Sequence, residues 1–100
     1  MSGPLAKVLE DIASVLDKDN LSVDKTSDAL NKAWTAIDQA RGIVSDPVIS
    51  RICEALTKLA VVLDAYNAKM INLDAFISYI RSEEIPNNLN ELASSVRNSA

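Results

Sequence analysis

Segment 46–80 constrains the fold more than any other part of this chain. It opens with Asp46, a favourable N-cap residue, followed by Pro47. Proline is tolerated in a first helical turn because the N–H that it lacks would have no partner there. Apolar residues then recur at intervals of three and four, so the pattern predicts an amphipathic helix over about 47–69, with Asp46 as its cap.

A second amphipathic helix follows after a short break. Asn72 is its predicted N-cap, and Phe76 and Ile80 repeat the apolar spacing, which predicts a helix over about 73–84. Pro86 blocks its continuation. Two such helices cannot bury both of their apolar faces alone, so the rest of the chain must provide packing partners.

Two helices are predicted before this pair, over about 4–17 and 23–41. Ser2 is expected to cap the first, and Ser22 the second. The polar run from residue 17 to residue 20 predicts a turn between them.

Other residues mark where the second helix ends and where a last helix begins. Gly42 is expected to end the second helix, and Asn87 or Asn88 to cap a short helix over about 88–96. No internal repeat or long linker divides the chain. The prediction is therefore an all-α fold with one domain over residues 1–100: an antiparallel up-down four-helix bundle with a short extra C-terminal helix or tail, which either folds back over the bundle or projects from it.

Composition narrows the class of partner. The net charge of −4 and the pI near 4.6 argue against binding to nucleic acid and to anionic lipid. The longest apolar run, Leu59 to Leu63, is far shorter than the roughly 20 residues that cross a bilayer, and the N-terminus lacks the apolar stretch of a signal peptide. We expect a cytoplasmic monomer that does not insert into a membrane and is membrane-associated at most through a protein partner.

Catalytic chemistry is not indicated by the sequence. Histidine is absent, which removes the usual general base and the commonest metal ligand. The single cysteine, Cys53, lies on an apolar stripe and is interpreted as a core residue. No glycine-rich phosphate loop or calcium loop is present. We therefore predict neither an enzyme nor a cofactor or metal site.

One irregularity points to a protein partner. At 100° per residue, the polar face of the third helix should continue through Val61, Val62 and Ala65, but these residues are apolar, and the next polar residue on that face is Lys69. Either the segment after Pro86 covers these residues or they form an exposed interaction patch. The two interpretations are compatible if that segment docks loosely and exchanges with a partner. The residues predicted to contact the partner are Val61, Val62, Ala65, Lys69, Tyr79, Arg81, Ile85 and Leu89.

The order of residues resembles the bacteriocin immunity proteins of lactic acid bacteria, of the lactococcin A and pediocin-like (enterocin A) types. The matching positions include the Leu-Asp-Lys-Asp turn at 16–19, Ile49 and Ile52, the run Ala55-Leu56-Thr57 with Leu59-Ala60, and Phe76-Ile77-Ser78. The likeness spans residues 9 to about 88. The chain departs from that family in being acidic and in ending soon after Val96.

The resemblance implies a cytoplasmic four-helix bundle that protects a producer cell from its own bacteriocin. The implied partner is the membrane receptor, a mannose-type phosphotransferase permease, bound from the cytoplasmic side when bacteriocin is engaged. Alternatives remain open: a small cytoplasmic adaptor or inhibitor, or a subunit of a larger assembly such as that of a phage or virus.

Overall fold

The computed structural model describes residues 3–17 and 21–98. Within these ranges the chain forms five α-helices: α1 (Gly3–Leu16), α2 (Val23–Ala40), α3 (Asp46–Asn67), α4 (Leu73–Ser82) and α5 (Ile85–Asn98). The predicted all-α class is confirmed. The predicted cap at Ser2 and most of the predicted turn at 17–20 lie outside the described residues.

Two of the predicted N-caps are present. The Ser22 hydroxyl oxygen accepts a hydrogen bond of 3.2 Å from the backbone N–H of Lys25. The Asn72 side-chain oxygen accepts one of 2.8 Å from the backbone N–H of Ala75. Each bond satisfies a donor that the first helical turn leaves unpaired, so these two residues fix the starts of α2 and α4.

The start of α3 differs by one residue from the prediction. Ser45 is the N-cap, and its side chain makes no capping hydrogen bond. Asp46 is instead the first helical residue, with Pro47 beside it. The Asp46 carboxylate thus lies in the first turn, where it is stabilised by the positive end of the helix dipole rather than by a capping bond.

Gly42 ends α2, as predicted. Its φ of +85° follows an extended Arg41 (φ −62°, ψ 132°), and the backbone N–H of Ile43 donates to the carbonyl of Ala40 at 3.0 Å. These are the features of a type II turn, which needs a residue with positive φ at its third position. Glycine adopts that conformation without a steric cost.

The break between α4 and α5 is built differently from the prediction. The fifth helix begins at Ile85, with Pro86 in its first turn, rather than near residue 88. Asn88 therefore does not cap the start of α5. Its side-chain amide donates 3.1 Å to the carbonyl of Glu83 and so closes the end of α4.

Four helices form a closed ring of neighbours. Helix α1 packs against α2 and α5, and α3 packs against the same two helices. Helix α4 lies outside this ring and packs only on α3 and α5 to any extent within the described residues. The C-terminal helix was expected to be a short extra element, but α5 is a ring member and its contact with α1 is the most extensive in the molecule.

Small side chains allow α1 and α5 to approach closely. Ala6 and Ala13 of α1 and Ala93 of α5 are at most 2% exposed. Ala6 and Ala13 are four residues before and three residues after Glu10, so they share its face of α1. Ala93 is four residues before Arg97 and shares its face of α5. The Glu10 carboxylate and the Arg97 guanidinium are 2.5 Å apart, which places all three alanines along this interface.

Enlarging Ala93 is expected to separate α1 from α5. The substitution Ala93→Leu should lower the free energy of unfolding by about 1–3 kcal/mol or more, because a closely packed interface has no room for the added carbons. Ala75→Leu is the matched control, since Ala75 is exposed on α4, and should change stability by less than about 0.5 kcal/mol. Urea denaturation followed by circular dichroism measures both, and equal midpoints would contradict the alanine interface.

Candidate protein-binding surface

Exposed apolar side chains are concentrated in one part of the chain. The described residues expose five large ones, and four of these lie within segment 61–79. They are Val61, which is 62% exposed, Met70 at 78%, Leu73 at 40% and Tyr79 at 36%. The fifth, Ile43, lies on the α2–α3 connection at the opposite end of α3. Val61, the member of the group nearest to Ile43 along α3, is 15 residues beyond the start of that helix at Asp46, which is about 22 Å of helix.

A salt bridge shows which edges of α3 and α4 face each other. The Lys58 ammonium is 3.3 Å from a carboxylate oxygen of Glu83. Val61 and Ala65 follow Lys58 at helical spacings of three and seven residues, so they continue its edge of α3. Tyr79 precedes Glu83 by four residues and continues the opposing edge of α4. Val61, Ala65 and Tyr79 therefore lie on adjoining edges of the two helices.

The turn after α3 extends this region to Met70. The backbone N–H of Met70 donates to the carbonyl of Ala65 at 2.9 Å, and that of Lys69 donates to the carbonyl of Tyr66 at 3.0 Å. This pair of bonds is a Schellman motif, and Lys69 occupies its left-handed position with a φ of +63°. We call the set Val61, Ala65, Lys69, Met70 and Tyr79 the α3–α4 surface.

Four of the eight residues predicted to contact a partner belong to this surface: Val61, Ala65, Lys69 and Tyr79. Arg81 is also exposed. It follows Tyr79 by two residues, about 200° around α4, and therefore points away from the surface.

Three residues of the predicted set are buried. Val62 is 6% exposed, Ile85 1% and Leu89 0%. The prediction that they are available to a partner is wrong for this structure. Helix α3 packs against α2, α4 and α5, so the apolar face that it buries is wider than a single stripe and includes Val62. Leu89 is a core residue of α5 itself, and α5 folds back over the bundle, which is the first of the two arrangements expected for the C-terminal segment.

The sequence prediction does not include Met70, which belongs to the α3–α4 surface. The signal for it in the sequence is its position in the turn just before the Asn72 cap. A large apolar residue inside a turn is seldom covered by the helices that the turn connects, because connections run over the surface. Met70 could have been singled out on that ground.

Tyr66 and Phe76 hold α4 against α3 beneath this surface. Their ring centroids are 5.7 Å apart and the ring planes make an angle of 79°, an edge-to-face contact. Such pairs are worth about 0.5–1.5 kcal/mol beyond the area they bury. The position of Tyr79 relative to Val61 therefore depends on this contact and on the Lys58–Glu83 pair.

A groove with a volume of about 260 Å³ lies between α3 and α5. Arg51 and Lys58 line it together with Glu54 and Glu91. The two signs of charge are balanced, so the groove has no evident preference for a charged ligand.

Cys53 is half-buried and packs against the core. Within the described ranges, no three side chains of the metal-ligating types lie close enough together to hold an ion. No helix there has both the length and the apolar character that spanning a membrane requires.

Comparisons of the chain with protein-family models, with curated proteins and with solved structures found no match. The function is therefore inferred from the chain's own residues and their arrangement.

Removing the cap of α4 tests how this helix is anchored. Asn72→Ala should lower the free energy of unfolding by about 1 kcal/mol, whereas Asn72→Asp should retain most of it, because a carboxylate oxygen can accept the same bond. Asn67→Ala, at the exposed end of α3, is the control and should have a smaller effect. Chemical denaturation measures all three, and an equal loss in the alanine and aspartate variants would argue against the capping bond.

Proposed function

We propose that the protein is a bacteriocin immunity protein that acts by binding a protein partner through the α3–α4 surface. The observation that carries the proposal is the concentration of exposed apolar side chains, with Val61 62% and Met70 78% exposed. Large apolar residues that share one region of a surface are typical of interaction sites, whereas isolated ones are ordinary. The resemblance of the sequence to the immunity proteins names the class of partner.

The proposed partner is the mannose-type phosphotransferase permease with engaged bacteriocin, bound from the cytoplasmic side. Met70 and Tyr79 would be the anchors, because long flexible and aromatic side chains carry much of the energy of protein interfaces. Lys69 adds a positive charge at the edge of the apolar residues, and it makes no ion pair with any described residue. A charge at the rim of an interface contributes to orientation and association rate more than to affinity.

The proposal includes the up-down order of the ring helices that the resemblance implies. Two contacts support opposite directions for α3 and α5. Glu83, just before α5, pairs with Lys58 near the middle of α3, and α4 occupies the C-terminal half of α3 through the Tyr66–Phe76 contact. Helix α5 then has only the N-terminal half of α3 to follow, which it can do in the antiparallel direction.

Charged substitutions on the α3–α4 surface are expected to abolish protection. The parent protein, expressed in a strain sensitive to the cognate bacteriocin, should raise the inhibitory concentration. Met70→Asp and Val61→Asp should each reduce that gain by about tenfold or more, because an apolar anchor at an interface is worth roughly 2 kcal/mol. Ile43→Asp is the control: Ile43 is 47% exposed, similarly apolar, and lies away from the surface.

The outcomes separate the function from the site. A parent that protects against none of a panel of bacteriocins would refute the immunity function. Protection retained in full by the folded Met70→Asp and Val61→Asp variants would refute the surface. Association of the parent with a soluble partner, with no bacteriocin-dependent recovery in the membrane fraction, would favour the cytoplasmic adaptor or inhibitor instead.

A further inference from the structure

Helix α4 is bounded at both ends by residues in an unfavourable backbone conformation. Among the described residues, the two non-glycine residues with positive φ are Lys69 at +63° and Glu84 at +51°. They flank Leu73–Ser82 in sequence. Residues with a Cβ adopt this left-handed region at a steric cost, so the native position of α4 is maintained against strain in both of its connections.

Helix α4 also buries fewer residues than any of the other four described helices. It is 10 residues long and fully buries only Phe76 and Ile80, whereas the 14-residue α1 buries six residues. The Lys58–Glu83 pair that links it to α3 is exposed on both sides, at 42% and 36%. Exposed pairs contribute little to stability because water screens them.

The hydrogen bonds at both connections would be lost together if α4 moved away. They are the bond from the Met70 N–H to the Ala65 carbonyl, which spans Lys69, and the bond from the Asn88 side-chain amide to the Glu83 carbonyl, which spans Glu84. In exchange, Lys69 and Glu84 would be free to return to ordinary negative φ. Neither of these bonds joins two helices of the ring of α1, α2, α3 and α5.

We infer that α4 opens as a unit about Lys69 and Glu84 while the four-helix ring stays folded. Opening withdraws Phe76 from the Tyr66 ring and uncovers the apolar side of the C-terminal half of α3, including Val62 and Leu63, which are 6% and 4% exposed in the closed form. The transition is a property of the free protein and does not depend on the proposed immunity function.

Pro86 limits how far the segment can rearrange. A single continuous helix from α4 into α5 would place its ring against the carbonyl of Ser82 and would lack the N–H that bonds to that carbonyl. The open form therefore keeps the break at residues 83–84. Segment 73–82 therefore leaves the ring as a separate unit rather than fusing with α5.

Amide hydrogen exchange on the full chain at low denaturant concentration tests the opening directly. Once it is separated from α3 and α5, a helix of 10 residues is too short to stay formed in water, so its amides exchange in the open form. Amides bonded within α4 are therefore expected to share one opening reaction and to be protected at least about tenfold less than the central amides of α1 and α5. Equal protection of α4 and α1 would mean that α4 leaves only on global unfolding, and would overturn the inference.

Lys69→Gly tests whether the hinge lies at this residue. Glycine removes the steric cost of positive φ in the closed form and so stabilises the folded protein. The hydrogen-exchange protection of the central α1 amides, which exchange through global unfolding, should therefore rise about twofold to fivefold. If Lys69 relaxes on opening, the protection of α4 rises by the same factor. If α1 gains protection and α4 does not, Lys69 keeps its conformation in the open form and is no hinge.

A neighbouring substitution controls for the effect of glycine itself. Ala68 has a φ of −80°, so Ala68→Gly relieves no strain and should lower protection or leave it unchanged. A rise in protection equal to that of Lys69→Gly would show that strain at Lys69 is not the cause. No change in α1 for Lys69→Gly would equally overturn the inference, because the closed form would then store no strain there.

Discussion

The contact between α1 and α5 is the constraint on which the rest of the structure depends. Ala6, Ala13 and Ala93 remove the bulk that would separate the two helices, and Leu89 and Val96 bury their side chains completely beside them. This contact closes the ring, so each of the four helices buries its apolar face against two ring neighbours. Helix α2 packs on α1 and α3, and α3 packs on α2 and α5. Burial of each large aliphatic side chain contributes about 1.5–3 kcal/mol, and most of the buried ones belong to the four ring helices.

Helix α4 has a different relation to stability. It adds Phe76 and Ile80 to the core but packs on α3 and α5 from outside the ring. The α3–α4 surface is therefore composite: Val61 and Ala65 belong to a ring helix, and Tyr79 belongs to the peripheral one. A partner that contacts both parts would bind according to the position of α4. Its affinity would then depend on the opening equilibrium as well as on the contacts themselves.

The candidate surface was accessible to sequence reasoning only in part. Val61 and Lys69 could be identified because an apolar run interrupts the polar face of α3, and Tyr79 because it lies off the apolar stripe of α4. Val62 was assigned to the same surface because periodicity gives the direction of a side chain but not the width of the buried face. That width depends on the number of neighbouring helices, and α3 has three. Ile85 and Leu89 were misplaced for the related reason that α5 was expected to be an accessory.

The sequence by itself determined where the helices lie, because caps, turn residues and apolar spacing act over a few neighbouring residues. Ser22, Gly42 and Asn72 perform the local roles that their chemistry predicts. Asn88 does not. Its side-chain amide bonds to the carbonyl of Glu83 at the end of α4 instead of capping the start of α5, because the way in which the two helices meet places that carbonyl within its reach. Only the tertiary structure decided which helices form the ring and which one remains outside. Amphipathic helices of similar length can satisfy the same spacing with several neighbours, and the choice depends on which faces fit closely across the whole core.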